Sequence, residues 1–406
     1  MSFFKKTIRD VPLSGHTVLV RVDYNVPLAQ DGSISDDLRI RASIPTLQFL
    51  LARGCKIVLI SHLGRPEGRD MSLSLEPAAV RLGELLEKPV VFVDDITGDE
   101  AYQAVRKAPK EGIVMLQNLR FDPGEEADDM DFAKGIAHAS QADFFVQDGF
   151  GVVHRAHAST HAITLQLPSV AGLLLEREYT TITDVMEDPK RPLVAVLGGA
   201  KVSDKIGLVE RFVQLADKIL IGGAMANNFL AYKGIAVGKS KVEADQAEVL
   251  DAIYTAAREK VGDAVDDFIV LPSDVAVATE VDPHAARSER KVTEIGPDEQ
   301  ALDIGPESID RYCRAIEGAG SVIWNGTMGV AELPNFAHGS ARIALTLATH
   351  PDITSIVGGG DTADFVLKWD AKKGGSFTHV STGGGAGLDL MAGKKLPGVE
   401  SLLDAS

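Results

Sequence analysis

Short apolar runs rich in β-branched residues recur along this chain, each giving way to glycine or polar residues and then to a segment of helical period. In the first half they are Thr17–Val22, Lys56–Ile60, Val90–Val93, Ile113–Leu116 and Phe144–Val146. In the second half they are Leu193–Leu197, Lys218–Ile221, Phe268–Leu271, Ser321–Trp324, Thr354–Val357 and Thr378–Val380. Runs this short, apolar throughout rather than alternating, belong to parallel strands covered by helices on both faces. Helical period marks Ile44–Ala52, Glu76–Leu86, Phe132–Ala139, Ile206–Leu215, Gln246–Glu259, Ser308–Ile316 and Arg342–Thr349. Ser74 ahead of Leu75-Glu76-Pro77 reads as an N-cap with proline in the first turn. The expected class is α/β. At 406 residues two cores are expected, because a single core stops growing near ~250–300 residues. The halves meet around Pro168–Pro192, where Ala171–Glu187 reads as a linking helix stopped by Asp188-Pro189-Lys190-Arg191-Pro192.

Charge narrows the partners. The balance of 41 basic against 58 acidic residues, −17 net, disfavours nucleic acid and acidic membrane surfaces. An anionic substrate then requires cations concentrated at one place. Met1–Asp10 holds no apolar signal-peptide core, and no apolar run approaches the ~20 residues of a membrane span. Cys55 and Cys313 are isolated, which fits a reducing cytoplasm. The acidic run Glu125–Asp131 reads as a solvated helix start rather than a metal cluster.

The two halves end their strands differently. The second half carries Gly198-Gly199, Gly222-Gly223, Gly358-Gly359-Gly360 and Gly383-Gly384-Gly385, whereas the first has no adjacent glycine pair. Glycine lets backbone N–H groups approach a ligand closely, and ligands of open α/β sheets lie beyond the carboxyl ends of the strands. After Gly358-Gly359-Gly360, a helix beginning at Asp361 or Thr362 would turn its free N–H groups toward an anion. Asp361 would repel a bare phosphate, so Mg2+ between carboxylate and phosphates is implied. Taken alone, the same stretch is equally a tight turn capped by Asp361. Lys201 and Lys205, just behind Gly198-Gly199, read as phosphate partners.

In the first half arginine and histidine occupy the corresponding places: Arg21 with Asp23 and Asn25, His62 with Arg65, then Arg120, then His154-Arg155-Ala156-His157, with Arg39 before the first helix. The arginines Arg21, Arg39, Arg65, Arg120 and Arg155 would form a cup for a small anion gripped by guanidinium groups. Asp23 and Asn25 would read its hydroxyls, and His62 serves better as a donor to the anion than as a base. A nucleotide-like phosphate site facing a small phosphorylated acid points to phosphoryl transfer, in which water is excluded and two anions are brought together. A hinged two-domain binding protein would leave Lys201 and Asp361 without a task. A nicotinamide dehydrogenase would need the G-x-G-x-x-G turn and a following acidic residue, a pattern absent from this sequence.

These motifs, in order and over the whole length, resemble the phosphoglycerate kinase family. They are Arg21–Pro27, Ser61–Pro66, Asn118–Phe121, His154–His157, Leu197–Lys205, Trp324-Asn325-Gly326, Gly358–Thr362 and Ser381–Gly385. The resemblance implies two Rossmann-like lobes, each a mainly parallel sheet flanked by helices and joined by a hinge helix. The boundaries would be 1–172 for phosphoglycerate, 173–188 for the hinge, 189–380 for nucleotide and 381–406 returning to the first lobe. It implies a monomeric cytoplasmic enzyme of glycolysis converting 1,3-bisphosphoglycerate and ADP to 3-phosphoglycerate and ATP with Mg2+. By similarity Asp23 and Asn25 contact the glycerate, while His62, Arg65, Arg120 and Arg155 hold its resident phosphate. Arg39, Lys201 and the N–H groups of Gly359 and Gly360 would stabilise the phosphoryl group in flight. Lys205, Gly358, Asn325 and Thr362 would meet nucleotide phosphates and Asp361 the Mg2+. Gly199, Gly223 and Leu302 would line the adenine slot, with Glu332 on the ribose. Gln117, Gln147-Asp148-Gly149-Phe150, Thr327 and Ala331 depart from the usual pattern, Ala331 standing where an aromatic is common. None of these removes an assigned charge.

Overall fold

Val18, Leu19 and Val20 follow one another in sequence and all three are fully buried. That is the mark of a strand covered on both faces. Val18 and Val20 enter one apolar layer with Ile57 and Leu59. Leu19 enters the opposite layer with Val58 and Ile60, as the two-residue period of a strand dictates. In the computed structural model, which describes residues 3 to 405, six parallel strands form this first sheet: β1 (Thr17–Arg21), β2 (Lys56–Ile60), β3 (Val90–Val93), β4 (Ile113–Leu116), β5 (Phe144–Gln147) and β6 (Ser169–Ala171). Their order is β3-β4-β2-β1-β5-β6. The chain divides into two compact units, Met1–Thr180 with Lys395–Ser406, and Thr181–Lys394.

The second unit repeats the plan with β7 (Leu193–Leu197), β8 (Lys218–Ile221), β9 (Ile269–Val270), β13 (Ser321–Asn325), β14 (Thr354–Gly358) and β15 (His379–Val380), ordered β15-β14-β13-β7-β8-β9 and all parallel. A separate antiparallel sheet, β11-β10-β12, inserts β10 (Asp274–Ala278), β11 (Ser288–Lys291) and β12 (Gln300–Ile304). The sequence hid β11 and β6 for physical reasons. Ser288–Lys291 is wholly polar on a partly exposed edge, and β6 has only three residues. The first helix, Leu38–Leu51, carries Pro45 inside it. Proline forfeits one backbone bond there, and the helix begins six residues before the periodic signal at Ile44. Ser74 lies one residue outside the cap position held by Leu75, although its hydroxyl accepts the Glu76 N–H at 3.2 Å.

The terminal segment closes on the first unit. Lys5 donates to the carbonyls of Glu400 and Leu402 at 2.7 and 3.0 Å, and the Gly398 N–H donates to Val153 at 2.9 Å. That last bond pins the loop carrying His154 and Arg155. Residues 381–394 belong to the second unit in this division.

Candidate active site

The motif loops of the first unit follow β4, β2, β1 and β5, four neighbours in one parallel sheet, so their side chains gather at one carboxyl edge. Asn118 stitches two of these loops together. Its amide donates to the carbonyls of Leu63 and Leu73 at 2.8 and 2.9 Å, while its oxygen accepts the N–H groups of Leu63 and Arg120, both at 3.1 Å. Asn25 accepts the Gly64 N–H at 2.8 Å, and the buried Arg120 donates to the Gly64 carbonyl at 2.6 Å. Arg39 pairs with Asp23 through Nη1 and Oδ2. Gly151 is what leaves room for that pair: a Cβ there would lie 2.3 Å from Asp23 Oδ2. Arg65 is exposed and Arg155 half-buried. Burial, and then Arg155 and Arg65 nearby, hold Arg120 below its ordinary pKa, with Glu126 opposing. Asp23, Asn25, His62, Arg39, Arg65, Arg120 and Arg155 thus share one end of one sheet.

Arg21 departs from the expected cup. It is buried beneath it, donating Nε to Ser159 Oγ at 2.8 Å, Nη1 to the Val22 carbonyl at 2.5 Å and Nη2 to His62 Nδ1 at 3.1 Å. Ser159 in turn donates to Glu125 Oε1 at 2.6 Å. Glu125 is therefore no part of a solvated helix start; it is fully buried, and the helix begins later, at Met130, capped by Asp129. Placing an arginine under the sheet edge demanded a buried counter-charge, since an unpaired one would be prohibitive. The consequence for His62 is definite. Burial, then Arg21, Arg120 and Arg39, keep it neutral well below its usual pKa. A guanidinium only donates, so Nδ1 is the accepting nitrogen and the ring proton sits on Nε2. A ring so arranged has no free nitrogen with which to act as a general base toward a ligand; His62 offers a donor. His157 is likewise pushed down to about 4 by burial and by Arg120.

In the second unit the glycine turns follow β14, β13, β7 and β8, again four neighbours. These turns interlock. Gly198 N–H bonds to the Asn325 carbonyl and Gly199 N–H to the Thr327 carbonyl, both at 3.0 Å, and Gly223 N–H to the Met328 carbonyl at 2.9 Å. A Cβ on Gly223 would stand 2.6 Å from the Gly199 nitrogen. Lys205 reaches under them, donating to the Gly198 and Asn325 carbonyls at 2.6 and 3.0 Å. Burial brings it down to about 8, opposed by Asp361 and Asp204. Lys201 is exposed. Leu302 lies on β12, nearly buried beside Phe336, and its carbonyl accepts the Val330 N–H at 2.8 Å.

The helix after β14 runs Gly360–Trp369, one residue earlier than the sequence suggests, with Gly359 at its N-cap at φ 87°. Thr362 is fully buried, its hydroxyl accepting the Gly326 N–H at 2.7 Å, so it braces the Asn325-Gly326 turn. Asp361 is exposed in the first turn. Beside Gly358 and Gly359 sits Asn325, buried, with neither side-chain Oδ1 nor Nδ2 partnered. An orphaned buried amide costs about 1–3 kcal/mol, which a polar ligand at this strand end would relieve. The donor set would suit Mg2+: Asp361 would supply one carboxylate, and phosphate oxygens and water the other ligands. Among the described residues no three His, Cys, Asp or Glu side chains converge, so such an ion would arrive with the phosphates. Glu332 and Asp361 line one cleft of about 520 Å3.

Some contributors carried no sequence signal. Ser159 and Glu125 were invisible because their partner Arg21 is 138 and 104 positions away in sequence. Asp148, fully buried, accepts from Thr46 Oγ1 and the Leu174 N–H, both at 2.9 Å, at the start of the helix Leu173–Glu187. Two departures from the usual motif are accounted for. Gln117 donates to Asp94 Oδ1 at 2.7 Å and to Ser74 Oγ at 3.0 Å, where a glutamate would meet Asp94 as a like charge. The Thr327 hydroxyl donates to the Gly329 carbonyl at 2.9 Å, which stiffens the turn.

Residues 8–394 match the family model described as phosphoglycerate kinase. A protein named phosphoglycerate kinase from Pelotomaculum thermopropionicum is 44% identical over 401 residues, spanning 98% of this chain and 99% of that one. One of the same name from Gloeothece citriformis is 45% identical over 408 residues, spanning 99% and 100%. Among solved structures, the phosphoglycerate kinase of Coxiella burnetii superposes with a TM-score of 0.83 at 32% identity, and that of Pyrococcus horikoshii with 0.84 at 30%, each covering 98% of both chains.

Proposed function

The chain belongs to the phosphoglycerate kinase family, and on that premise we propose that it moves a phosphoryl group reversibly between 1,3-bisphosphoglycerate and ADP, giving 3-phosphoglycerate and ATP in glycolysis. The observation that carries this reading is the unpartnered amide of Asn325 among glycine strand ends, beside a half-buried Lys205. It supports a phosphate site there, on a unit separate from the guanidinium cup. Asp23 and Asn25 then address the glycerate, and His62 Nε2–H, Arg65, Arg120 and Arg155 its resident phosphate. In the ATP-consuming direction the acceptor is a carboxylate, ionised at neutral pH, so no base is required, consistent with a neutral, donor-only His62. Catalysis rests on cations and backbone N–H groups around a loose in-line transition state: Arg39, Lys201, Gly359 and Gly360. Mg2+ bound by Asp361 would neutralise charge on the nucleotide phosphates.

The two anion sites belong to different units, and transfer requires the two ligands to meet. We place the hinge in the helix of 173–188, between lobes 1–172 and 189–380, with the segment 381–406 leading back to the first lobe, which it rejoins from Lys395. Adenine is placed by Gly199, Gly223 and Leu302, the ribose by Glu332, and the phosphates by Lys205, Asn325, Gly358 and Thr362. A cytoplasmic monomer fits two buried free cysteines and two ligands converging on one chain. Among the described residues no helix is long and apolar enough to cross a membrane.

A coupled assay for ATP formation from 1,3-bisphosphoglycerate and ADP tests the reaction directly; absence of ATP from folded protein overturns it. Asp361→Ala is expected to raise the Mg2+ concentration for half-maximal activity by tenfold or more. An unchanged Mg2+ profile removes Asp361 from the metal. Lys205 gives a pH signature. In the free protein its ammonium is complete well below about 8 and is lost as pH rises through that value. A phosphate beside it favours the ammonium and raises that value. ADP binding therefore takes up a proton above about pH 8, and affinity falls there by up to about tenfold per pH unit. Calorimetry in buffers of different ionisation enthalpy reads the uptake, which Lys205→Met should abolish. A flat profile for the unaltered protein excludes the contact.

A further inference from the structure

The cleft that contains Glu332 and Asp361 is larger than those two residues require. Its volume of about 520 Å3 lies within the ~300–1,000 Å3 of small-molecule sites. Past Glu332 and Asp361 the wall becomes apolar and aromatic, formed by Ala331, Pro334, Phe365 and Trp369. Phe365 stands edge-on to the buried Trp324, ring centroids 6.5 Å apart at 69°, which holds that wall in place. At position 331 only a methyl group faces this space, so nothing bulky separates the aromatic part from the ribose residue next door.

Charge decides what can enter. Glu332, Asp361 and Asp364 stand in the wall against Lys368 alone, and Lys368 already pairs with Asp364 at 2.6 Å. A further anion would meet uncompensated carboxylates, whereas a flat uncharged ring gains an indole and a phenyl face. We propose that this cleft is a second subsite, continuous with the nucleotide site, that takes an uncharged aromatic group carried on the 2′ or 3′ ribose oxygen of a nucleoside diphosphate, with Ala331 as the residue that admits it. The proposal rests on the reading of Glu332 as the ribose partner. The same walls turn away a phosphate at the 2′ position.

The probe is the fluorescent ester 2′/3′-O-(N-methylanthraniloyl)-ADP, titrated directly and against ADP on the full chain. The ester is expected to bind at least as tightly as ADP, and adenosine 2′-phosphate 5′-diphosphate at least tenfold more weakly than ADP. Trp369 and Trp324 are the two tryptophans of the chain, so Trp369→Phe should remove at least half of the energy transfer from indole to bound ester. Ala331→Phe should lower the ratio of ester affinity to ADP affinity by tenfold or more. ADP binding with the ester excluded, transfer undiminished by Trp369→Phe, or an unchanged ratio in Ala331→Phe overturns the subsite alone. Binding of neither nucleotide overturns both the subsite and the nucleotide reading beneath it.

Discussion

Arg39→Ala is expected to lower turnover by roughly 10³–10⁵, the range for an arginine that stabilises a phosphoryl group in transfer. The KM for ADP should stay within about threefold, because the nucleotide residues lie on the other unit. The structure gives the reason for so large an effect from one side chain. Arg39 is 30% exposed at the edge of the cup and is paired through Nη1 to Asp23 Oδ2, itself 9% exposed. An arginine left to itself samples many rotamers; this one is held by a nearly buried carboxylate, so little of its ordering remains to be done in the transition state. Arg39→Lys separates charge from geometry. It keeps the cation but loses the planar fork, and turnover should fall between the unaltered and alanine values. Gly151→Ala approaches the same pair from the opposite side, since its Cβ would displace Asp23 Oδ2. Its loss should appear in turnover with Arg39 intact. A fall of less than tenfold in folded Arg39→Ala would take Arg39 out of the chemistry.

The strands were legible because burial on both faces of a parallel sheet leaves an unbroken apolar run in the sequence, as in Leu193–Leu197, where every residue is buried. The motif residues were legible because a parallel sheet brings the ends of all its strands to one edge, so loops far apart in sequence share a location. What stayed hidden was whatever depends on a partner distant in sequence. Arg21 looked like its neighbours in the cup, and nothing local says that Ser159 and Glu125 draw it inward. Glu125 looked like the acidic residues after it, and only the buried guanidinium gives it another environment. The polar edge strand Ser288–Lys291 had no apolar pattern to show. The helix Gly223–Tyr232 opens on the very glycine that the close approach to Gly199 requires, so its start read as a turn.

A neighbouring close approach, of Gly326 to Gly198, sets the second large effect: Gly326→Ala should lower ADP affinity by a hundredfold or more, equivalent to about 2.7 kcal/mol. Gly326 is where the second unit's framework converges. Its N–H donates to Thr362 Oγ1 at 2.7 Å and its carbonyl accepts the Trp324 indole N–H at 2.8 Å. Its φ is 99°, and a Cβ would fall 2.2 Å from the Gly198 carbonyl and 2.4 Å from Lys205 Nζ. Two penalties then combine: about 1–2 kcal/mol for a left-handed L residue and about 1–3 kcal/mol for forcing atoms into a filled space. Gly234→Ala separates them, for its φ is 79° with nothing within 4 Å of the added methyl. That variant should lose only the first penalty, a fall in melting temperature of about 2–8 °C at ~2–4 °C per kcal/mol, with ADP affinity unchanged within about twofold. In Gly326→Ala the backbone of Gly198 cannot yield without moving β7, so Lys205 and the Asn325 turn must shift, and the phosphate site opens. Equal ADP affinity in the two variants would mean that the interlocked glycines only close a turn and do not shape the site.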